Sequence, residues 1–493
     1  AAEAAACGGA RPGGVPPGET ADLIERTAES VRMVEAFLAG SDAPAATDPF
    51  LDAEQALLLG HLHHPAPKSR DGITLAEVAA WSPELRGSFR LHWFAADPSV
   101  VSQDAVATSP ALRGRDTATL LADLAGLADL AGVLDVTGRV LVPAHPWQAR
   151  DVLRRPRVAA LVAAGLLEPL GERGEPWWPT SSWRTVYRPG AEVMLKLSVG
   201  LRITNSRRES TPTELRRGLE VHRLLDAGYA TATTTAYPQF SIVRDPAWLA
   251  VDEPQHPEGP RLTGLDVAVR EVPEEIAELR TLVGLVAPRP QRGCSRLGSL
   301  VAEGRLDPVE WMADYTDLVL VPMLHLYAAT GIGLEAHQQN TLVRTTPDGR
   351  VSGGAYRDNQ GYYLAASHLP ALLRTGGIDE STLAVVDDAI VDERLSYYLL
   401  RNQVLAVVGC LAVDGLASEP ELLDALSARL RAALPTLAAA GPDGDRLARR
   451  WLEEPTLPCK GNLLTRLHGI DEVVAPLDAQ SVYLDAPNPL VAR

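Results

Sequence analysis

Between positions 193 and 204 one parity of the chain is apolar throughout. Val193, Leu195, Leu197, Val199, Leu201 and Ile203 hold it, while Lys196, Ser198, Arg202 and Thr204 share the other with Met194 and Gly200. A strand turns successive side chains to opposite faces, so the run predicts one core face and one face of cations and hydroxyls. Upstream, Ser182, Arg184, Val186 and Arg188 also fall on one parity, and Pro189-Gly190 is a turn dipeptide between the runs. A loop over 189–191 predicts a hairpin with Arg188 opposite Glu192 and Arg184 opposite Lys196. A two-residue loop would set Arg184 against Leu195 and turn one of them to the wrong medium. The expected polar face carries Ser182, Arg184, Lys196, Ser198, Arg202 and Thr204, continued by Asn205, Arg207 and Arg208.

Elsewhere the spacing is helical. Helices are expected over 21–40 with Thr20 as cap, 52–59, 117–134 behind Asp116, 156–167, and 211–225 with Thr211 as cap and Pro212 in the first turn. Short strands are expected over 90–94 and 140–142. The Gly-, Pro- and Trp-rich stretch 171–179 reads as a loop feeding the hairpin. Long loops around 253–260 and 287–293 offer a domain boundary. A helix from 306 through Tyr327 ends at Gly331, 387–440 is alanine- and leucine-rich core helix, and Lys460 stands in a loop near the end.

Composition changes this picture in three ways. At 493 residues the chain exceeds what one core supports and indicates several domains. Its net charge of −17 argues against a general nucleic-acid or anionic-membrane partner, and makes the basic hairpin a local exception suited to a small anion. Cys7, Cys294, Cys410 and Cys459 are scattered without a C-x-x-C, so neither a disulfide framework nor a zinc site is indicated. No apolar run is expected to span a membrane. Residues 1–20 show no basic start or apolar run and are expected to be a flexible leader, not a signal peptide, which makes a cytoplasmic enzyme the expectation.

The chemistry follows from residue types. Arginine forks and lysine point charges with almost no acid among them suit polyphosphates and polycarboxylates better than a merely solvated face. His61, His63 and His64 lack a carboxylate or cysteine at ligand spacing; neighbouring Lys68 and Arg70 suggest a second basic loop reaching the same anion. His145, followed by Pro146, reads as a packed turn. Glu335, His337 and Gln339 share a parity, Asn340 follows, and Asp358 returns in a turn, a candidate metal–nucleotide constellation. Neither a P-loop nor a dinucleotide fingerprint is present. His337-x-x-Asn340 followed by Asp358 is also compatible with a kinase-like phosphotransferase, a reading that leaves 196–209 unexplained and lacks a catalytic aspartate. A non-catalytic polycarboxylate-binding protein would have no use for the group from Glu335 to Asp358.

Six stretches occur in one order: GHLHHPAPKSRDG at 60–72, HPWQ at 145–148, PTSSWRTV at 179–186, KLSVGLRITNSRRE at 196–209, EAHQQNTLV at 335–343 and RDNQG at 357–361. With them the chain resembles the NRPS-independent siderophore (NIS) synthetases of the IucA/IucC family, with Leu62 where the family usually has proline and Asn359 where an aromatic is common. The resemblance implies an α+β, multi-domain cupped-hand fold: a thumb over 21–150, fingers over 151–290 bearing the basic hairpin, and a kinase-like palm over 291–493. ATP would lie between fingers and palm. It implies Mg²⁺-dependent adenylation of citrate or a citryl or dicarboxylic acid derivative, then displacement of AMP by an amine, hydroxylamine or alcohol. A homodimer is also implied. On matching positions, Arg184, Lys196, Arg208 and His337 are the expected catalytic residues. Ser182, Arg184, Lys196, Gln339, Asn340 and Asp358 are expected on the nucleotide. Ser182, Thr204, Arg208, Glu335, His337 and Lys460 are expected near the carboxylate substrate, and Glu335 and Asp358 on the metal.

Overall fold

A computed structural model describes residues 17–40, 46, 48–126, 138–204, 206–252, 262–374, 379–470 and 481–491. Most of the expected leader, Asn205, the loop at 253–260 and the far end of the helix expected over 117–134 lie outside the described residues.

The helices form where caps and punctuation allow. Pro17–Ala39 is helical, which puts Thr20 inside the first turn and not at its cap. The next helix is Pro49–Glu54, upstream of the expected 52–59, because Asp48 caps it from Leu51 N–H and proline presets its first turn. Asp116 caps Thr117–Ala125, and Gly126 ends it in the left-handed conformation well before residue 134. Thr211 and Glu214 form a reciprocal capping box at the start of Pro212–Asp226.

An antiparallel eight-stranded sheet carries the basic segment. Its strands are β1 (Phe89–Ala96), β2 (Val101–Ala105), β3 (Val140–Ala144), β4 (Leu167–Pro179), β5 (Thr185–Tyr187), β6 (Val193–Leu197) and, after the small hairpin of β7 (Val199–Ile203) and β8 (Ser206–Arg208) and the short β9 (Phe240–Ile242), β10 (Ala247–Asp252) and β11 (Leu262–Glu271). The order is β2-β10-β11-β6-β5-β4-β1-β3. The stretch 171–179, expected as a loop, is strand: Gly171 and Gly174 sit at positive φ where β4 is irregular against β1, so its glycines mark bulges.

Two corrections concern the central segment. The alternation from 193 to 204 is not one strand. β6 stays in the large sheet, Ser198 N–H donates to Asp266 O at 3.2 Å, and β7 leaves to pair with β8. The buried parity nevertheless holds across the break: Leu195 and Leu197 pack in the sheet core, and Val199 and Leu201 pack with Trp147 and Trp183. The register also differs by one residue. Thr185 opposes Lys196 and Val186 opposes Leu195, so the expected pairing of Arg184 with Lys196 does not form. Ser182 and Arg184 belong to a turn ahead of β5, and a turn does not transmit period two into the strand. Val186 therefore joins the core, and Thr185 shares the face of Lys196.

Downstream, β9 lies parallel to β15 (Val351–Tyr356) in a sheet completed by β12 (Leu279–Thr281) and β14 (Thr341–Thr345). β13 (Ile332–Leu334) pairs with β16 (Tyr362–Ala365), beside β17 (Val385–Val386). Helices pack around Tyr315, Leu324, Val343, Leu399, Leu430 and Trp451. A smaller cluster of Phe50, Tyr187, Met194, Val243, Leu342 and Ala355 joins this core to the large sheet. The continuous helix 388–413 contains a π-helical stretch, Ser396–Val404. It is long and apolar enough to cross a membrane, contrary to the expectation that no segment would be, although 61% of its apolar window is buried inside the protein. β18 (Thr456–Lys460) pairs with β19 (Tyr483–Pro487), so Lys460 ends a strand and is not in a loop.

Candidate active site

One side of the site is built by the segment 180–208. Thr180 N–H donates to Thr185 O and Trp183 N–H to Thr180 O, both at 2.8 Å, while Ser182 Oγ accepts from Thr185 N–H. Trp183 has a φ of 69°, rare for a bulky residue. Its buried ring is held there by stacking on His145 at 4.5 Å, with the Arg70 guanidinium 5.7 Å from its centroid. His145 is a packed helix cap: Nδ1 accepts from Trp147 N–H, and burial lowers its pKa to about 3. Gln148 of the same HPWQ stretch fixes the β7–β8 hairpin, accepting from Gly200 N–H at 2.7 Å and donating to Glu209 at 2.8 Å. Arg184 then donates to Arg208 O at 2.9 Å, and Arg208 to Thr204 Oγ1 at 2.9 Å and Ile203 O at 3.1 Å.

The other side comes from β13–β16. Glu335 follows β13, His337 to Asn340 form a turn closed by Asn340 N–H on His337 O, and Asp358 follows β15 at a φ of 99°. A Cβ on Gly361 would stand 2.8 Å from the Glu335 carboxylate, so any side chain there would push Glu335 out of place. Asp358 Oδ1 lies 2.7 Å from Lys196 Nζ and 3.8 Å from Arg270, which is itself clamped by Asp245 at 2.7 and 3.0 Å. Burial works against ionisation of Asp358, but Lys196 and then Arg270 hold it well below the usual carboxylate range. Burial lowers the pKa of Lys196 and Asp358 opposes this.

His337 is neutral: burial first, then Lys460 and Arg208 against the opposing Asp358, take its pKa to about 4. Its Nδ1 accepts from Gln339 N–H at 3.2 Å, and its Nε2 lies 3.3 Å from the Asn340 amide nitrogen.

All the expected site residues, Ser182, Arg184, Lys196, Thr204, Arg208, Glu335, His337, Gln339, Asn340, Asp358 and Lys460, line one cavity of about 270 Å³. Arg270, Arg357, Tyr397, Tyr398 and Asn402 line it too, and were missed. The last three lie on the π-helical stretch, where the wider turn redirects side chains of an otherwise core helix. Lys68 and Arg70 also reach the wall, but both are buried against Glu84, at 2.5 and 2.6 Å. Burial raises the pKa of Glu84 while Arg70 and Lys68 together bring it down to about 2, so these cations brace the wall as part of an ion-paired triad. Burial and the neighbouring His63 and His64 lower the pKa of His61 to about 3.

Among the described residues no three His, Cys, Asp or Glu side chains converge as metal ligands. Glu335 and Asp358 thus offer two carboxylates at most, beside the amide oxygens of Gln339 and Asn340. That donor set fits Mg²⁺, which keeps several waters and takes one or two carboxylates plus substrate phosphates.

Behind Lys196, where β6 ends, Asp266 is buried and accepts from Ser198 Oγ, which in turn accepts from Ser210 N–H. Burial raises its pKa to about 7, more than the Ser198 and Ser210 hydrogen bonds lower it. A raised folded-state pKa stabilises most at pH below the unfolded value, and this contribution is lost as pH rises through about 7. Asp266→Asn should escape the loss. Denaturant unfolding of both proteins at about pH 5 and about pH 8 should show the wild type losing stability relative to the variant at the higher pH. A difference independent of pH would refute the assignment.

The chain is similar to known proteins in sequence and in fold. The profile of the IucA / IucC family matches residues 49–287, and that described as ferric iron reductase FhuF-like transporter matches residues 309–474. The rhizobactin siderophore biosynthesis protein RhbC of Rhizobium meliloti (strain 1021) is 40% identical over 95% of this chain and 81% of its own length. The spermidine-citrate ligase of Bacillus anthracis is 35% identical over 90% of this chain and 73% of its own. Among solved structures, ATP-bound aerobactin synthetase IucA from a hypervirulent pathotype of Klebsiella pneumoniae superposes with a TM-score of 0.82 at 28% identity, over 97% of this chain and 84% of that one.

Proposed function

The chain belongs to the IucA/IucC family, and from that premise we propose that it adenylates a citrate-like polycarboxylic acid with ATP and condenses it with an amine, hydroxylamine or alcohol, releasing AMP and pyrophosphate. One observation carries this reading: a single cavity sets the cations and hydroxyls of 182–208 against Glu335, His337, Gln339, Asn340 and Asp358. Spermidine-citrate ligase and the ATP-bound synthetase supply the substrate class by similarity.

Adenylation brings a carboxylate to an anionic α-phosphorus and expels pyrophosphate, so its barrier is largely electrostatic. Ser182, Arg184 and Lys196 would receive the phosphates. Thr204 and Arg208, already bonded to each other, would hold the polycarboxylate, with Lys460 opposite. His337, as a neutral ring, would lie against the carboxylate substrate. Mg²⁺ held by Glu335 and Asp358 would neutralise phosphate charge. No protein nucleophile is required. Thumb, fingers and palm over 21–150, 151–290 and 291–493 belong to the same reading, supported by the separate cores around Leu195 and Leu399. So does a cytoplasmic setting, where ATP is available.

The nucleotide product tests this reading. Enzyme, Mg-ATP, citrate and a diamine or hydroxylamine are incubated and the nucleotides separated by chromatography. Attack on the α-phosphorus gives AMP in step with amide or hydroxamate. A kinase-like enzyme would give ADP, from attack on the γ-phosphorus, and ADP as the only product would end the proposal.

A further inference from the structure

Next to the polar cavity lies a larger one of about 830 Å³. Gly60, His63, Gln338, Tyr397 and Lys460 line both, so the two spaces adjoin at the end of β18. Beyond that border the wall changes character, to Val286, Leu405, Ala406, Val413, Leu463 and Leu484. Two of the most exposed large apolar side chains of the described residues, Leu62 at 67% and Val413 at 87%, stand on this cavity.

Two charged groups stand on this wall. Asp414 accepts from Ser295 Oγ at 2.5 Å and from Ser295 N–H, and Arg401 donates to Ala486 O and Pro487 O at 2.8 and 2.9 Å. Asp414 is thereby occupied and is not poised to pair with a cationic far end of a ligand. The border itself carries Lys460, whose charge disfavours another cation and favours an amine in its neutral, nucleophilic form.

We propose that this apolar cavity is the subsite of the second substrate, and that it takes a primary amine or hydroxylamine borne on an aliphatic chain of several carbons without a second cationic group. The amino end lies at the Lys460–Tyr397 border, facing the activated acyl group, and the chain runs along Leu405, Val413 and Leu484. The nitrogen lone pair attacks the acyl carbon, the bond from that carbon to the AMP oxygen breaks with its electron pair leaving on AMP, and the nitrogen's proton passes to solvent. This rests on the adenylation reading and adds the class of nucleophile to it.

Gly409 supplies the tool. It lines the cavity, and a Cβ built there meets nothing within 4 Å, so Gly409→Phe fills the space without a backbone clash and improves helix propensity. AMP formation with Mg-ATP and citrate is measured using hydroxylamine and n-alkylamines from butylamine to octylamine. In the wild type the amine KM should fall by about fourfold per added methylene, the factor that corresponds to about 0.8 kcal/mol per buried CH₂. In Gly409→Phe the ratio of kcat/KM for octylamine to that for hydroxylamine should drop at least about tenfold. A wild-type KM indifferent to chain length would overturn the subsite, as would a ratio unmoved by Gly409→Phe. So would a variant that alters only the oligomeric state, which would assign the cavity to a second copy of the chain. No AMP from the wild type even with hydroxylamine would instead sink the adenylation reading, and the subsite with it.

Discussion

Lys196→Ala should lower carboxylate-dependent pyrophosphate release by on the order of 10²–10³. The ammonium sits on a strand of the large sheet, buried, with Nζ 2.7 Å from Asp358, and so joins the two sides of the cavity. A preorganised cation in a water-poor site stabilises developing charge without reorganising, which is why one such group is worth so much. Folding should survive, because Arg270 stays 3.8 Å from the same carboxylate. The ion pair gives a second readout. Burial opposes ionisation of Asp358, yet Lys196 and Arg270 depress its pKa, so its stabilising contribution is present above the ordinary aspartate value and is lost as pH falls. Removing Lys196 shrinks the depression, and acid unfolding followed by circular dichroism should move to higher pH. Arg184→Ala and Arg208→Ala should lose about tenfold to a hundredfold in the same assay. Near-normal turnover in Lys196→Ala would remove it from the reaction.

What the sequence disclosed was residue type and parity; what it withheld was how turns and buried acids redistribute them. The cationic set from Ser182 to Arg208 and the group from Glu335 to Asp358 were legible because so many cations rarely cluster on an acidic chain without an anion to meet. The one-residue register shift was hidden because Ser182 and Arg184 mimic strand parity while lying in a turn with a left-handed Trp183. β4 looked like a loop because its glycines serve bulges, which a local reading cannot tell from breaks. Tyr397, Tyr398 and Asn402 were absorbed into a core helix because a π-helical stretch has no reliable periodic signature. Arg270 gave no sign at all, since its partners Asp245 and Asp358 are distant in the chain. One missed residue did leave a trace. Glu54 follows Phe50 and Leu51 at helical spacing, an acid on an apolar face.

Glu54→Ala should therefore be among the most destabilising single changes outside the apolar core, by about 3–5 kcal/mol. Its carboxylate is fully buried, 2.6 Å from one Arg357 nitrogen and 3.1 Å from another, and accepts from Ser181 N–H at 2.9 Å and Ser181 Oγ at 2.8 Å. One side chain thus ties the helix Pro49–Glu54 to the turn before β5 and to the residue preceding Asp358. Alanine leaves a guanidinium in the interior with no carboxylate, only its bonds to Gln339 O, at 3.0 and 2.8 Å, and to Ser181 Oγ, at 3.3 Å, and orphans the Ser181 amide. Because Ser182 and Asp358 flank the two released anchors, ATP affinity should fall along with the melting temperature. Glu54→Gln, which keeps acceptors for Ser181 but not the charge, should fall between wild type and Glu54→Ala. The mechanism is separable from simple loss of packing by adding Arg357→Ala. If the cost lies in an unpaired buried charge, the double variant will be less destabilised than the sum of the singles in denaturant unfolding. Strict additivity, or a Glu54→Ala protein within about 0.5 kcal/mol of wild type, would show that the clamp does not hold the two sides of the site together.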